Sequence, residues 1–508
     1  MTLLTERYAP QIAGVLSCYD RIIITGTLPG VGFPEGMARH LRLHDVRLFD
    51  YPHFVEPLRD QIREQAERVA RDHGLAIEFI RSAHAFRKED RIRAILQQRG
   101  EQPGLVHIFS AMEPCPAFTP WHDKASGRTT LRYKDGKCLH YYCYFIDPEF
   151  GLCYRRVPTW APFRLQFYCN GHHWLAAQLR QAGIAFQPLD NSFRSIADFP
   201  QAQALADAFP IERLHRALDG FAAQYCPVGE QFGSSYYWSI MQLEYATDLV
   251  FHRQADLHPL YDTLVRTAIH AVKPDNVATF LGRKLTGAYR DELGHDFHTR
   301  VEGTRIKHQM GPVSIKLYDK QGLVLRIETT ANDVTFFRHH RMVEHRDGTT
   351  EMKLAPMQKT ISSLAPLRDL LLAANRRYLA FLSDLDDPAA GVQQVEQLAE
   401  PVRQDQRSYR GFNLFSADHL ALFTALARGE WAISGFRNAA LRRILPDQTG
   451  PQLSRLLKRL HLPGLIKKVG RTYKYYLTDT GRRVALTALK LRALVVIPSL
   501  AAPLPAQG

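Results

Sequence analysis

The order of hydrophobic and polar positions changes period several times along this chain. Arg21–Leu28 (RIIITGTL) is a β-branched apolar run and predicts a strand. Glu56–His73 is charged and amphipathic at helical spacing, while Leu75–Arg81 and Leu105–Ser110 predict short strands, so residues 1–110 read as an N-terminal α/β region. Residues 111–300 form a second region. Its first part, to about residue 195, is dense in aromatics, Cys and Pro, with strands expected at Leu139–Ile146 and Phe163–Cys169. The remainder reads as mainly helical, including Ser239–Arg253 and Asp262–Val272.

Alternation returns between Thr304 and His339. Val313–Tyr318 alternates, Lys320-Gln321-Gly322 supplies a turn, and Leu323–Thr329 alternates again, which predicts a β-hairpin within a region spanning 301–382. A long helix is expected over Ile361–Leu382. The segment 383–410, with Asp384, Asp386, Asp387, Pro388 and several Gln, reads as a linker.

From residue 411 the pattern is compact. Ser416 is placed to cap a helix whose apolar face is Leu420, Phe423, Leu426 and Ala427, and Gly429 ends it. A second helix is expected over Phe436–Leu445 and a third over Pro451–Leu462, with Leu453, Leu456, Leu457 and Leu460 at helical spacing. Leu465–Val469 and Tyr473–Leu477 read as two strands, and Thr480–Leu494 as a closing helix. Residues 496–508 read as a flexible tail.

Composition sharpens this picture where charge is concerned. The 508 residues carry a net charge of +14, with a pI of about 9.4, which favours a polyanionic partner. Between Phe436 and Arg483 there are twelve basic residues against two acidic ones, so this short segment holds most of the excess. Apolar and charged contents of 45% and 23% are ordinary for globular protein and argue against disorder of the whole chain. The first twenty residues lack the pattern of a signal peptide, and no apolar run is long enough to span a bilayer. Seven scattered cysteines do not form a disulfide framework, so a reducing, cytoplasmic setting is expected and no membrane partner.

The order helix, helix, basic helix, basic hairpin, helix over 411–495 resembles the winged-helix domains of MarR-type transcription regulators. That resemblance implies a third helix in the major groove of double-stranded DNA and a wing on phosphate. On this chain the contacting residues would be Arg442, Arg443, Gln452, Arg455, Lys458, Arg459, Lys467, Lys468, Arg471 and Lys474. The same fold also serves protein contacts, and that alternative stays open here. The whole is expected to be an α+β multidomain protein, a mixed α/β body with antiparallel sheet followed by this domain.

The hairpin offers chemistry. Period two puts Lys316, Tyr318 and Lys320 on one face of its first strand, and Arg326 and Glu328 on one face of its second. Cations beside a phenol stabilise phenolate and phosphate, and a carboxylate can hold a divalent metal. Ile315-Lys316-Leu317-Tyr318-Asp319-Lys320 followed by Arg326-Ile327-Glu328 resembles the catalytic hairpin of rolling-circle replication initiators of plasmids and filamentous phages. The resemblance implies Tyr318 as nucleophile and Glu328 as a ligand of Mg or Mn, with Asp20 as a further acidic ligand. No His-hydrophobic-His motif accompanies it. A packed Tyr with a structural Arg–Glu pair is the alternative. The whole chain also resembles an uncharacterised bacterial family associated with mobile elements.

A rival metal site uses Asp20 with Glu113, Glu244 and Asp248, the last two being expected one turn apart on a helix. Cys138, His140, Cys143, Cys153, Cys169, His172 and His173 lie within a short span, but no paired CxxC knuckles occur, so zinc is not expected. Tyr141, Tyr142, Tyr144, Tyr154, Trp160, Phe163, Phe167 and Tyr168, interleaved with Arg155, Arg156 and Arg164, suit either unpaired bases or a sheet core. No Walker A loop or GxGxxG is present. The functional expectation is a mobile-element protein that nicks or transfers DNA strands. Its alternatives are a non-catalytic regulator, whose body could dimerise, and an RNA-binding component of a ribonucleoprotein.

Overall fold

The computed structural model describes residues 3–81, 86–283, 297–302, 305–385, 400–404, 407–413, 416–431, 435–470 and 472–496. The centre of the expected linker (386–399), the tail beyond 496 and Arg471 lie outside the described residues.

Strands and helices share the first half about equally. The strands are β1 (Ile12–Thr27), β2 (Ile77–Ile80), β3 (Gly104–Asp123), β4 (Arg128–Asp147), β5 (Gly151–Pro158) and β6 (Leu165–Cys169). A short hairpin, β7 (Phe186–Pro188) and β8 (Phe193–Ile196), precedes β9 (Tyr237–Phe251). Then come β10 (Phe297–Glu302), β11 (Arg305–Met310), β12 (Val313–Lys320) and β13 (Val324–Ala331). Three hairpins complete the set: β14 (Arg338–Glu344) with β15 (Thr350–Pro356), β16 (Val402–Gln404) with β17 (Arg407–Tyr409), and β18 (Ile466–Lys468) with β19 (Tyr475–Leu477).

The protein is of mixed α and β class and divides into two compact units. The first comprises Ser17–Tyr245 and Thr330–Asp369, and the second Met1–Leu16, Ala246–Thr329 and Leu370–Gly508. No helix among the described residues is long and apolar enough to cross a membrane.

In the first unit the strand order is β9-β1-β6-β5-β4-β3-β2, antiparallel from β1 through β3 and parallel at the β3–β2 edge. The register aligns Thr25 with Gln166, Gln166 with Arg156, Arg156 with Tyr142 and Tyr142 with Phe109. Directly opposed residues share a face, so this row crosses five strands on one side of the sheet. The helices Tyr51–Asp72 and Ile211–Tyr225 bury their apolar stripes, Val55, Leu58 and Ile62 on one and Leu214, Leu218 and Ala222 on the other.

The expected helix over Ser239–Arg253 is the strand β9. Its last seven residues are all buried, which removes the in/out alternation that marks a strand in sequence. Glu244 and Asp248 are therefore not one helical turn apart, and the side-chain meeting expected from that spacing does not arise.

In the second unit the order is β10-β11-β12-β13-β9, and every residue of β13 is buried. The hairpin between β12 and β13 closes as the sequence predicts. Leu323 N donates to Lys320 O at 3.1 Å, and Gln321 and Gly322 both have positive φ, 53° and 71°. A two-residue loop of this kind matches the twist of the strands, and glycine enters its second position without strain.

The C-terminal part of the second unit contains the helices Ala417–Leu426, Asn438–Ile444 and Gly450–His461, the β18–β19 hairpin and the helix Asp479–Lys490. They enclose one core in which Leu453, Leu457 and Leu460 meet Leu422, Phe423, Leu426, Trp431, Phe436 and Val484. Gly481 lets the last helix approach the backbone of Leu465 at a point where a Cβ would collide. Gly429 N donates to Asp275 Oδ2 at 3.0 Å, tying this module to the helix Pro274–Phe280.

Candidate functional site

The hairpin brings Lys316, Tyr318 and Glu328 together. Tyr318 donates its hydroxyl to Glu328 Oε2 at 2.7 Å, and Lys316 Nζ lies 2.5 Å from Glu328 Oε1. Glu328 is buried, while Lys316 and Tyr318 are half-buried. The phenol thus sits on a proton acceptor, with an ammonium on the other oxygen of that carboxylate. Arg326 does something other than expected. Its guanidinium is buried and grips Asp248 through Nε and Nη2, both at 2.6 Å. This pair is an internal strut, and it also engages Asp248, one of the alternative metal ligands. Lys320 ends β12 half-buried, its carbonyl closing the turn.

The other carboxylates of interest belong to the first unit. Asp20, on β1, is buried and accepts from Asn170 Nδ2 at 3.1 Å and from Asn191 Nδ2 at 2.6 and 2.8 Å. His172 Nδ1 lies 3.3 Å from it. Glu244 accepts from Thr330 Oγ1 at 3.1 Å and lies 3.7 Å from Arg21 Nε. Asp20 and Glu244 offer carboxylate oxygens within 4.8 Å of each other. The sequence could not indicate Asn170 and Asn191, since neutral amides at distant positions carry no periodic or charge signal.

Glu113 stands in a separate cluster. It accepts from Tyr142 at 2.6 Å and from Arg156 at 2.9 and 3.2 Å, with Lys88 at 3.5 Å. Burial works against its ionisation, but Tyr142, Lys88 and Arg156 outweigh it and hold the carboxyl below the usual carboxylate range. Burial lowers Lys88. Glu113 is thus engaged by cations.

The cysteines of the aromatic segment are free and buried. Cys143, Cys153 and Cys169 lie inside the sheet, burial pushing the Cys143 thiol up to about 12. Cys138 Sγ is 3.8 Å from His140 Nδ1, and His140, lowered to about 4 by burial and by Arg156, is neutral. Most of the aromatics are core. Tyr141, Tyr142, Tyr144, Phe163 and Phe167 are buried, and Tyr154 stacks on Tyr168 at 4.9 Å. Arg155 is enclosed by Phe145, Phe221 and Tyr225 at 3.8–4.0 Å. Trp160 remains partly exposed.

The basic residues of the C-terminal module divide by role. On the helix Gly450–His461 the leucines face the core, and Gln452, Arg455 and Lys458 are exposed. Arg442, Arg443, Lys467 and Lys468 are exposed as well, and Lys474 lies over the Tyr476 ring. None of these cations makes an ion pair among the described residues. Arg455 and Lys458 line an open groove of about 590 Å³ with Ser408, Tyr409 and Ser454. Arg459 departs from the expected set. It donates to Arg410 O and Gly411 O at 3.0 and 2.6 Å and covers the Phe412 ring, so it anchors the chain entering the module. Gln452 also caps its helix, its Oε1 accepting from Thr449 N at 2.8 Å.

No family model, curated protein or solved structure matches this chain.

Proposed function

We propose that this chain is a DNA-binding protein that grips duplex through its C-terminal module, read as a winged helix. The observation that carries the reading is a set of outward cations, Arg442, Arg443, Arg455, Lys458, Lys467 and Lys468, that make no ion pair among the described residues. Folding leaves those charges in water, where a phosphate chain meets them at little desolvation cost and releases its own counterions. Binding of a labelled duplex by the full chain tests it. Arg455→Ala with Lys458→Ala should weaken binding at least tenfold, and equal affinity would move the module to a protein-contact role.

The Tyr318–Glu328 hydrogen bond favours strand cleavage as the associated chemistry. Glu328 takes the phenolic proton, the phenolate oxygen attacks phosphorus, and a sugar oxygen leaves as the phosphotyrosine bond forms. Lys316 offsets charge at the same carboxylate. Within the first unit, Asp20 and Glu244 supply hard oxygen donors of the kind that suit Mg or Mn. A cytoplasmic setting, where thiols stay reduced, agrees with seven cysteines of which none is in a disulfide among the described residues. A DNA–protein adduct formed by wild type and lost in Tyr318→Phe supports this chemistry. The regulator reading draws on the burial of Glu328, and the absence of cleavage with any strand would select it.

A further inference from the structure

A cleft in the first unit takes no part in the proposed function. It opens on the face of the sheet that carries Thr25, Gln166 and Arg156 in one cross-strand row, and its volume is about 270 Å³. That is just below the ~300–1,000 Å³ usual for sites that take drug-sized ligands, so one small ligand fills it.

Two cations, Arg156 and Arg164, line the cleft. Glu113 fixes the Arg156 guanidinium through Nε and Nη2, and Lys88 shares the same carboxylate, so two cations stand against one acid. Arg164, exposed at the rim, makes no ion pair among the described residues. The residues that line the cleft include these two arginines and no acid, so its positive charge is in excess. His140 in the wall is neutral and serves as a hydrogen-bonding ring.

The same lining has flat, apolar members. They include Trp160, Pro158 and Pro162, and the chain at Trp160 is pinned by Phe163 N donating to Trp160 O at 3.0 Å. Phe163 is itself buried, and its carbonyl accepts from Tyr236 at 3.2 Å. The wall is thus set in place before anything binds, which spares a ligand the cost of ordering it. Gln166, steadied by the Tyr154 hydroxyl at 3.2 Å, and Thr25 add donors and acceptors to the lining.

We infer that this cleft binds one nucleotide of an unpaired strand, with its phosphate on Arg164 and Arg156 and its base against Trp160. The inference rests on the nucleic-acid reading and adds a single-strand site, on the other unit, to the duplex-binding module.

Fluorescence titrations of the full chain with a labelled oligothymidylate, a labelled duplex and adenosine 5′-monophosphate test it. Arg164→Ala should weaken oligothymidylate binding about tenfold and leave duplex binding unchanged. Trp160→Leu should do the same, since it removes the ring on which the base stacks. The exposed position of Arg164 keeps the first variant folded. Equal affinity of Arg164→Ala and wild type for the single strand overturns the assignment, as does absence of single-strand binding beside intact duplex binding. Binding of the monophosphate with refusal of the oligonucleotide overturns it too and makes the cleft a free-nucleotide site. Loss of duplex binding with single-strand binding retained supports the cleft and refutes the role given to the C-terminal module.

Discussion

Tyr318 donates its hydroxyl hydrogen to Glu328 across 2.7 Å, from one strand of the β12–β13 hairpin to the other. The bond gives a buried carboxylate a donor and gives a phenol a base, and the two consequences separate by substitution. Tyr318→Phe removes the donor and leaves the ring, so a loss of about 1–3 kcal/mol in urea unfolding is expected, together with loss of any covalent DNA adduct. Full retention of the adduct in this variant would take the nucleophile elsewhere.

Arg326 and Asp248 form a two-point contact with both side chains almost wholly buried. Asp248→Ala leaves a guanidinium without that partner in the interior and should cost about 3–5 kcal/mol. Chemical denaturation measures it. A change below 1 kcal/mol would show that water reaches the site.

Two buried histidines make stability depend on pH. Burial lowers both His140 and His308 to about 4, and His308 lies between Thr299 and Tyr378 hydroxyls. Each stays neutral in the fold and charges on unfolding. Above about pH 6.5 neither state holds the proton and full stability is present. Between about 6.5 and 4 the unfolded chain takes up protons that the folded chain refuses, so stability falls with pH by up to about 1.4 kcal/mol per unit for each ring. Urea midpoints at pH 7 and pH 5 should show the fall, and His308→Gln should reduce it. A midpoint that rises toward pH 5 would contradict the assignment.

Arg459 and Arg455 are neighbours on one helix with opposite expected phenotypes. Arg459→Ala removes two hydrogen bonds to backbone carbonyls and the cover of Phe412, and should lower the melting temperature of the module. Arg455 is exposed, so Arg455→Ala should leave melting unchanged while weakening DNA binding. Thermal denaturation and duplex titration on both variants check the contrast, which an exchange of the two phenotypes would refute.

Much of this arrangement is legible in the sequence. Lys320-Gln321-Gly322 between alternating runs fixes the hairpin because only a tight loop with positive φ joins them, and the alternation places Lys316 and Tyr318 on one face. The leucine spacing of 453, 456, 457 and 460 separates a core side from a basic side. Burial on both faces hides β9, since Ala246–Phe251 show no alternation and resemble a helix as well as a strand. Long-range partners are hidden for another reason. Nothing local marks Arg326 for Asp248, Asn191 for Asp20, or Arg459 for the carbonyls of Arg410 and Gly411, because these pairs are made by strand order and chain reversal.

The salt dependence of duplex binding tests the central electrostatic claim most directly. Wild type should lose affinity linearly in log K against log salt, with a slope of about −0.9 for each phosphate neutralised. Arg455→Ala with Lys458→Ala should make that slope shallower by about two. A slope near zero in wild type, or the same slope in both proteins, would contradict the claim that these exposed cations meet phosphate.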